Sequence, residues 1–181
     1  MSQWNLLDRL WKASREYFLV VGDSWDISYN FNSEGGSKEN PNINYLVFTF
    51  GEEEKIHPTY RKVNVIDLDN QIINLRISTL VNPTIDTLGN EVSENIVNSD
   101  FNRDNDFDFK FYDETSTLSD EGTKVPFSNT LRAERKSIST EFIDREYIAP
   151  INGIIAIKFA NYGSGEVRIE YSSGGHRIKI I

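Results

Sequence analysis

With 181 residues the chain is long enough for one domain, or for one β domain with a helical arm, because single domains cluster around roughly 100–200 residues. A net charge of −9 disfavours nucleic acid, whose phosphates it would repel, and the lack of any cysteine removes disulfides, thiolate nucleophiles and Cys-based metal sites together. The hydrophobic fraction of 38% is modest, but its 11 Phe, 8 Tyr and 3 Trp supply enough aromatic area for a core. No stretch approaches the roughly 20 apolar residues of a membrane span. Asp8, Arg9, Lys12 and Arg15 interrupt every apolar run that could serve as a signal-peptide core, and no Asn-x-Ser/Thr acceptor has a permitted middle residue. The expectation is a soluble protein made in the cytoplasm, without membrane or nucleic-acid partners.

Trp4, Leu7, Leu10, Trp11, Ser14 and Phe18 recur at three- and four-residue spacing, which predicts an amphipathic helix over residues 3–18, with Ser2 as its cap. A lone helix of this length is marginal in water, so its stripe needs something to pack on. It covers the chain's own β-sheet or docks on a neighbouring subunit. In the second case Trp4, Leu7, Trp11 and Phe18 are the interface residues. The chain thus divides into a helical arm, 1–18, and a β domain, 19–181.

From Trp25 the period changes to two. Trp25, Ile27, Tyr29 and Phe31 alternate with Asp26, Ser28 and Asn30, the pattern of a strand buried on one face. Residues 32–42, rich in Ser, Gly and Asn, read as a long flexible loop. Further strands are predicted at 45–50, 63–68, 72–80, 106–112, 138–143, 153–159, 166–171 and 177–181. Many short strands with no helix between them predict a mainly β protein, an antiparallel β-sandwich or barrel with an N-terminal amphipathic helix. Residues 153–181 read as a three-stranded meander, with turns at Asn161–Gly165 and Gly174–Gly175. Its last strand, ending on Ile180 and Ile181, must be paired or covered, since an open apolar edge invites association.

Catalytic equipment is sparse. The two histidines, His57 and His176, have no sequence neighbours that suggest a triad or a metal site. Val20-Val21-Gly22-Asp23-Ser24 resembles the first block of the GDS-type serine esterases, a resemblance that implies Ser24 as nucleophile. The rest of the chain departs from that family: no Asp stands three residues before His176, Gly89-Asn90-Glu91 is a poor Asn block, and the alternating helices are missing. Gly22-Asp23 is more economically a turn. Asp100, Asn102, Asp104, Asp106 and Asp108 repeat every second residue, and Asp-x-Asn-x-Asp opens an EF-hand-like calcium loop. Asn105 replaces the turn glycine and Phe111 the bidentate Glu, so an acidic turn leading into an amphipathic strand stands beside the calcium reading. If calcium binds, its ligands are Asp100, Asn102, Asp104 and Asp106. The acidic stretch from Asp113 to Glu121 reads as a solvated loop.

The helix-then-β layout and the Ile148-Ala149-Pro150-Ile151-Asn152-Gly153 approach to the closing strands resemble tailed-phage virion components such as head-decoration, neck or tail-ring proteins. The resemblance implies a non-enzymatic structural protein of the virion. It would be made in the host cytoplasm and would assemble with other copies of itself and other virion proteins through its helix and loops. It assigns no catalytic residue and no cofactor, calcium remaining the one candidate ion. The rival reading is a binding module, calcium-dependent and carbohydrate-directed, with Tyr60, Tyr147 or Tyr162 as sugar platforms.

Overall fold

The computed structural model describes residues 24–52, 54–99, 106–124, 129–133, 137–142 and 152–179. The predicted helix, the arm 1–18 and the interface residues Trp4, Leu7, Trp11 and Phe18 lie outside them. In chain order the strands are β1 (Ser24–Ser33), β2 (Asn42–Phe50), β3 (Glu54–Asp67), β4 (Ile73–Val81), β5 (Thr84–Thr87), β6 (Ile96–Asn98) and β7 (Phe109–Tyr112). They continue as β8 (Thr117–Asp120), β9 (Thr123–Lys124), β10 (Asn129–Ala133), β11 (Ser137–Phe142), β12 (Ile154–Asn161) and β13 (Val167–Lys179). Among the described residues the one helical element is a 3-10 turn, Ser93–Asn95.

Eight of these strands form one long antiparallel ribbon. β1 pairs with β13, β2 with β12, β3 with β11 and β4 with β10. Rolling the ribbon brings β3 against β13 and β4 against β12. The result is two sheets with the orders β1-β13-β3-β11 and β2-β12-β4-β10, so that successive ribbon strands come in pairs that cross from one sheet to the other. This is the strand order of a double-sheet jelly roll. At the ribbon's tip, between β4 and β10, an insertion holds β5 to β9. Within it β6 extends the first sheet beyond β1, β7 extends the second beyond β2, and β5 and β8 pair with each other.

The two sheets share one core, and aromatic rings join them. Trp25 of β1 meets Phe109 of β7 edge-on at 5.2 Å, Phe31 meets Phe159 of β12 at 5.4 Å, and Phe159 meets Tyr171 of β13 at 6.2 Å. Such edge-to-face pairs add to the area they bury. Trp25, Ile27 and Phe31 are buried while Ser28, Asn30 and Asn32 are exposed, so the predicted alternation of β1 holds. In β2 it fails: Leu46, Val47 and Phe48 are all buried. The reason is a third layer. On the back of the second sheet Val47, Leu80 and Ala156 form a small cluster covered by Ile85 of β5 and Leu118 of β8, and a strand buried on both faces reads as a continuous apolar run.

The predicted closing meander is overturned. β12 and β13 lie in different sheets, and Gly174–Gly175 is no turn but the middle of one strand, Val167–Lys179. Here the two glycines serve close approach. A Cβ on Gly174 would meet the Asp26 carboxylate and the Tyr60 ring, and one on Gly175 would meet the carbonyl of His57. The opposite strand absorbs one extra residue at this point, a bulge that also accommodates Pro58 inside β3. The predicted flexible loop at 32–42 is tied down: Gly36 N donates to Gly163 O at 2.7 Å, and Asn161 Nδ2 donates to Glu34 O at 2.9 Å. The stretch from Asp113 to Glu121 is not simply solvated, since Asp113 and Ser116 are buried and residues 117–120 form β8.

Strand directions sort the connections into two groups. Connections 34–41, 68–72 and 162–166 share one end of the sandwich, where β10 also ends and β11 begins. At the other end β1 begins, the insertion leaves β4, β10 begins, β11 ends, β12 begins and β13 finishes.

Candidate functional site

The outward face of the first sheet changes character along its length. Toward the 34–41 end it is a polar, solvent-facing ladder: Asn64 Nδ2 donates to Glu170, Asn32 Nδ2 to Glu166 and Arg168 to Asn30. At the opposite end it carries buried and half-buried polar groups arranged in rows across β1, β13 and β3. One row is Ser24, His176 and His57, each opposite the next in register. Ser24 Oγ lies 3.0 Å from His176 Nδ1, and both residues are buried, 4% and 6% exposed.

The next row is Asp26, Gly174 and Tyr60. Tyr60 Oη donates to Asp26 Oδ1 at 2.6 Å across Gly174, whose missing side chain leaves the space for it. Ser99 Oγ donates to Asp26 Oδ2 at 2.7 Å, and Ser99 N donates to Ser24 O. Sequence spacing gave no sign of this cluster, because its members come from three distant segments and meet only through strand register.

The esterase-like block therefore acquires a partner that the sequence did not suggest: Ser24 sits beside His176. Their 3.0 Å separation is a hydrogen-bond distance, the reach that acyl-transfer chemistry requires between a serine and a base. Asp26, the described carboxylate of the neighbouring row, has both oxygens engaged by Tyr60 and Ser99. Residues 20–23 of the block lie outside the described residues.

Of the four proposed calcium ligands, Asp100, Asn102 and Asp104 lie outside the described residues. Asp106 is described, and a guanidinium faces it. Arg177 Nη1 is 2.9 Å from Asp106 Oδ1 and also donates to the Asp106 carbonyl at 3.1 Å, while its guanidinium lies 4.7 Å over the Phe107 ring. That cation, 4% exposed, competes with a metal ion for the same oxygen. Among the described residues no three His, Cys, Asp or Glu side chains gather as a metal site.

A second buried node was missed by sequence reasoning. Asp113 accepts from Asn90 N and Nδ2 at 3.0 and 2.7 Å and from Thr115 N and Oγ1 at 3.1 and 2.5 Å. Burial alone would push its carboxyl up, but the hydrogen bonds from Thr115 and Asn90 to the charged form outweigh it and hold Asp113 below the ordinary range. Next to it, Tyr29 Oη donates to Glu114 Oε2 at 2.8 Å, and burial followed by that negative neighbour raises the phenol well above its usual value. These contacts pin the insertion to β1. Of the candidate sugar platforms, Tyr60 is committed to Asp26, Tyr162 is half-buried, and Tyr147 lies outside the described residues.

No family model matches the sequence, and no curated protein does. Solved structures give faint likenesses. A chain from the infectious bursal disease virus Gt strain is 10% identical with a TM-score of 0.22, over 87% of this chain and 40% of that one. A chain from the T13 particle of the same virus is 8% identical, again with a TM-score of 0.22, over 87% of this chain and 39% of that one. The chain thus spans about two fifths of the length of the solved chains it resembles.

Proposed function

We propose that this protein is a structural assembly component of a virion, in which the β-sandwich is the rigid body and one end of it makes the contacts. The observation that carries the reading is the segregation of the connections. One end is closed by its own hydrogen bonds, while the start of β1, the insertion, the end of β11 and the start of β12 converge on the other. Double-sheet jelly rolls serve in viral capsid domains, and equally in lectin domains and cupins. Strand order alone does not choose among them. The amphipathic stretch 3–18 enters at Ser24, on the contact end, and Trp4, Leu7, Trp11 and Phe18 are its docking residues on another copy or another virion protein. A position in a phage head, neck or tail is the finer form of the same proposal.

Removal of residues 1–16 tests it. Sedimentation of the full chain should give a ring or other closed assembly, and the truncated chain should remain folded by its melting curve but lose that assembly. A truncated chain that keeps the full-length assembly state sinks the role of the helix. Unfolding or aggregation on truncation identifies the helix as cover for its own sheet.

A carbohydrate-directed binding module is the second reading, favoured by the same strand order. A glycan array with the full chain, with and without calcium, separates the two.

A further inference from the structure

We propose that the outer edge of β1, over residues 28–33, is an interface at which a second copy of this chain adds its own β1, antiparallel, about a two-fold axis at Asn30. The contact goes beyond the assembly reading above, which works through residues 3–18, and does not rest on it.

β1 pairs with β13 along its whole length, Ser24–Ser33, with no shift in register. On its other side β6 covers only Trp25, Asp26 and Ile27. Ser99 N donates to Ser24 O, so Ser24 turns its backbone groups toward the β6 side. Alternation along an antiparallel strand turns those of Asp26, Ser28, Asn30 and Asn32 the same way, and those of Tyr29 and Phe31 toward β13. Beyond Ile27 no strand among the described residues meets Ser28, Asn30 and Asn32 on that side, and all three residues are exposed. A typical strand has about 5–6 residues, so the open stretch is long enough to hold one.

Sheet edges are ordinarily blunted by shortness, charge, proline or a bulge. β6 is three residues long, β7 has four and carries Lys110, and β10 and β11 contain Arg132 and Glu141. Residues 27–33, Ile-Ser-Tyr-Asn-Phe-Asn-Ser, have none of these devices. In a chain of net charge −9, an uncharged strand is a place where two copies can meet without setting like charges opposite each other.

Symmetry names the occupant. β6 stops opposite Ile27 and β1 ends at Ser33, so the open stretch is centred on Asn30. A two-fold axis there sets Ser28 opposite the partner's Asn32 and Asn30 opposite the partner's Asn30, hydroxyl and amide groups that both donate and accept. Every outward backbone group of Ser28, Asn30 and Asn32 then finds its mate, as when an added strand extends a sheet. The same patch serves both subunits, so the contact closes as a dimer.

Amide exchange of the full chain tests this, read residue by residue in dilute and concentrated solution, with sedimentation at both concentrations. The amides of Ser28, Asn30 and Asn32 should be slow to exchange when the chain is concentrated and fast when it is dilute. Those of Tyr29 and Phe31, bonded to β13, should be protected throughout. Asn30→Pro removes an outward N–H and no bond to β13, a substitution that edge strands accept. Asn30→Lys sets two ammonium groups opposite each other. Both should abolish the concentration-dependent protection of Ser28 and Asn32, with Tyr29 and Phe31 still protected as proof that the strand is intact. Exchange at Ser28, Asn30 and Asn32 that is fast in the wild-type chain at both concentrations overturns the proposal, because no second copy pairs there. Slow exchange at both overturns it too, because the chain then covers its own edge. A chain that sediments as an assembly while these amides stay fast meets its copies elsewhere, which removes the edge contact and leaves the role of residues 3–18 standing.

Discussion

At one end of the sandwich three connections are tied to one another. Gly36 N donates to Gly163 O, Leu68 N to Glu166 O, Glu166 N to Asp69 Oδ2 and Tyr162 N to Asn74 O, while Asn161, fully buried, accepts from Gly163 N and donates to the carbonyls of Glu34 and Gly165. At the other end the polar groups are buried or half-buried, but they belong to strands: Ser24, Asp26, His57, Tyr60 and His176 form rows across the sheet. Local hydrogen bonding makes the first end self-sufficient. The second depends on register, and it is the end at which β1 begins and the insertion leaves β4.

Variants at the first end and in the core should give the largest losses of stability. Phe159→Ala removes a fully buried ring that touches Phe31 and Tyr171 and should cost about 3–5 kcal/mol in thermal or urea unfolding. Asn161→Ala strands three backbone groups at once, each worth about 1–3 kcal/mol when left unsatisfied. Amide exchange should then accelerate in residues 34–36 and 163–165 and stay unchanged at residues 24–26 and 174–176. Equal acceleration at both ends would break the contrast between them.

Gly174→Ala probes the register-built end. Its new Cβ would stand 2.3 Å from Asp26 Oδ1 and 2.5 Å from the Tyr60 ring, so the Tyr60–Asp26 bond must open and the strands must shift. Overpacking of this kind costs about 1–3 kcal/mol. The Tyr60 ring resonances report the displacement directly. A variant as stable as the parent, with Tyr60 unmoved, would mean that the rows are not close-packed.

What the sequence made legible follows this same division between local and register-dependent structure. The alternation of Trp25, Ile27, Tyr29 and Phe31 was readable because period two is a property of one strand. The strand predicted at 106–112 is present from Phe109, with Phe109 and Phe111 buried and Lys110 exposed between them. Sheet membership was not readable. Nothing in residues 153–171 distinguishes a hairpin from a crossing between sheets, and Gly174–Gly175 looked like a turn because a glycine needed for close approach carries the same letter as one needed for a bend. Ser24 and His176 meet across |i−j| = 152, a contact that no local pattern encodes. Asp113 passed for a surface acid because two of its four donors, those on Asn90, become neighbours only after β7 has paired with β2 and Glu91 has bridged to Tyr112.

Asp113 gives a smaller effect with a definite pH signature. Its carboxyl lies below the ordinary 3.8, so the unfolded chain binds the proton more readily than the folded one. The stability it contributes is therefore complete above that value and is lost as the pH falls through the depressed one. Asp113→Asn should lower the melting temperature at neutral pH, by an amount on the order of 1 kcal/mol. The gap between parent and variant should narrow as the pH falls below the ordinary carboxylate value, where the unfolded parent takes up its proton, and close as it passes through the depressed value of the folded one. A gap that stays constant to low pH would show that the charge on Asp113 is not what its four donors hold.

The smallest effect expected is that of calcium. Asp106, the one described member of the Asp100, Asn102, Asp104 and Asp106 set, already faces the buried guanidinium of Arg177, which in turn lies over Phe107. A calcium ion at that carboxylate would have to displace Arg177 or sit beside its positive charge, and a buried Arg left without its anion is costly. Chelated protein given millimolar calcium should therefore keep its melting temperature, since a ligand stabilises only in proportion to its binding to the folded state. Arg177→Met sharpens the comparison, because it removes the competing charge and keeps most of the bulk over the Phe107 ring. If calcium raises the melting temperature of Arg177→Met but not of the parent, the acidic ladder is a cation site closed by its own arginine. If calcium moves neither, Asp106 is the partner of Arg177 and the strand β7 begins from an acidic turn. A rise in the parent itself would overturn the expectation and return all four residues to the role of ligands.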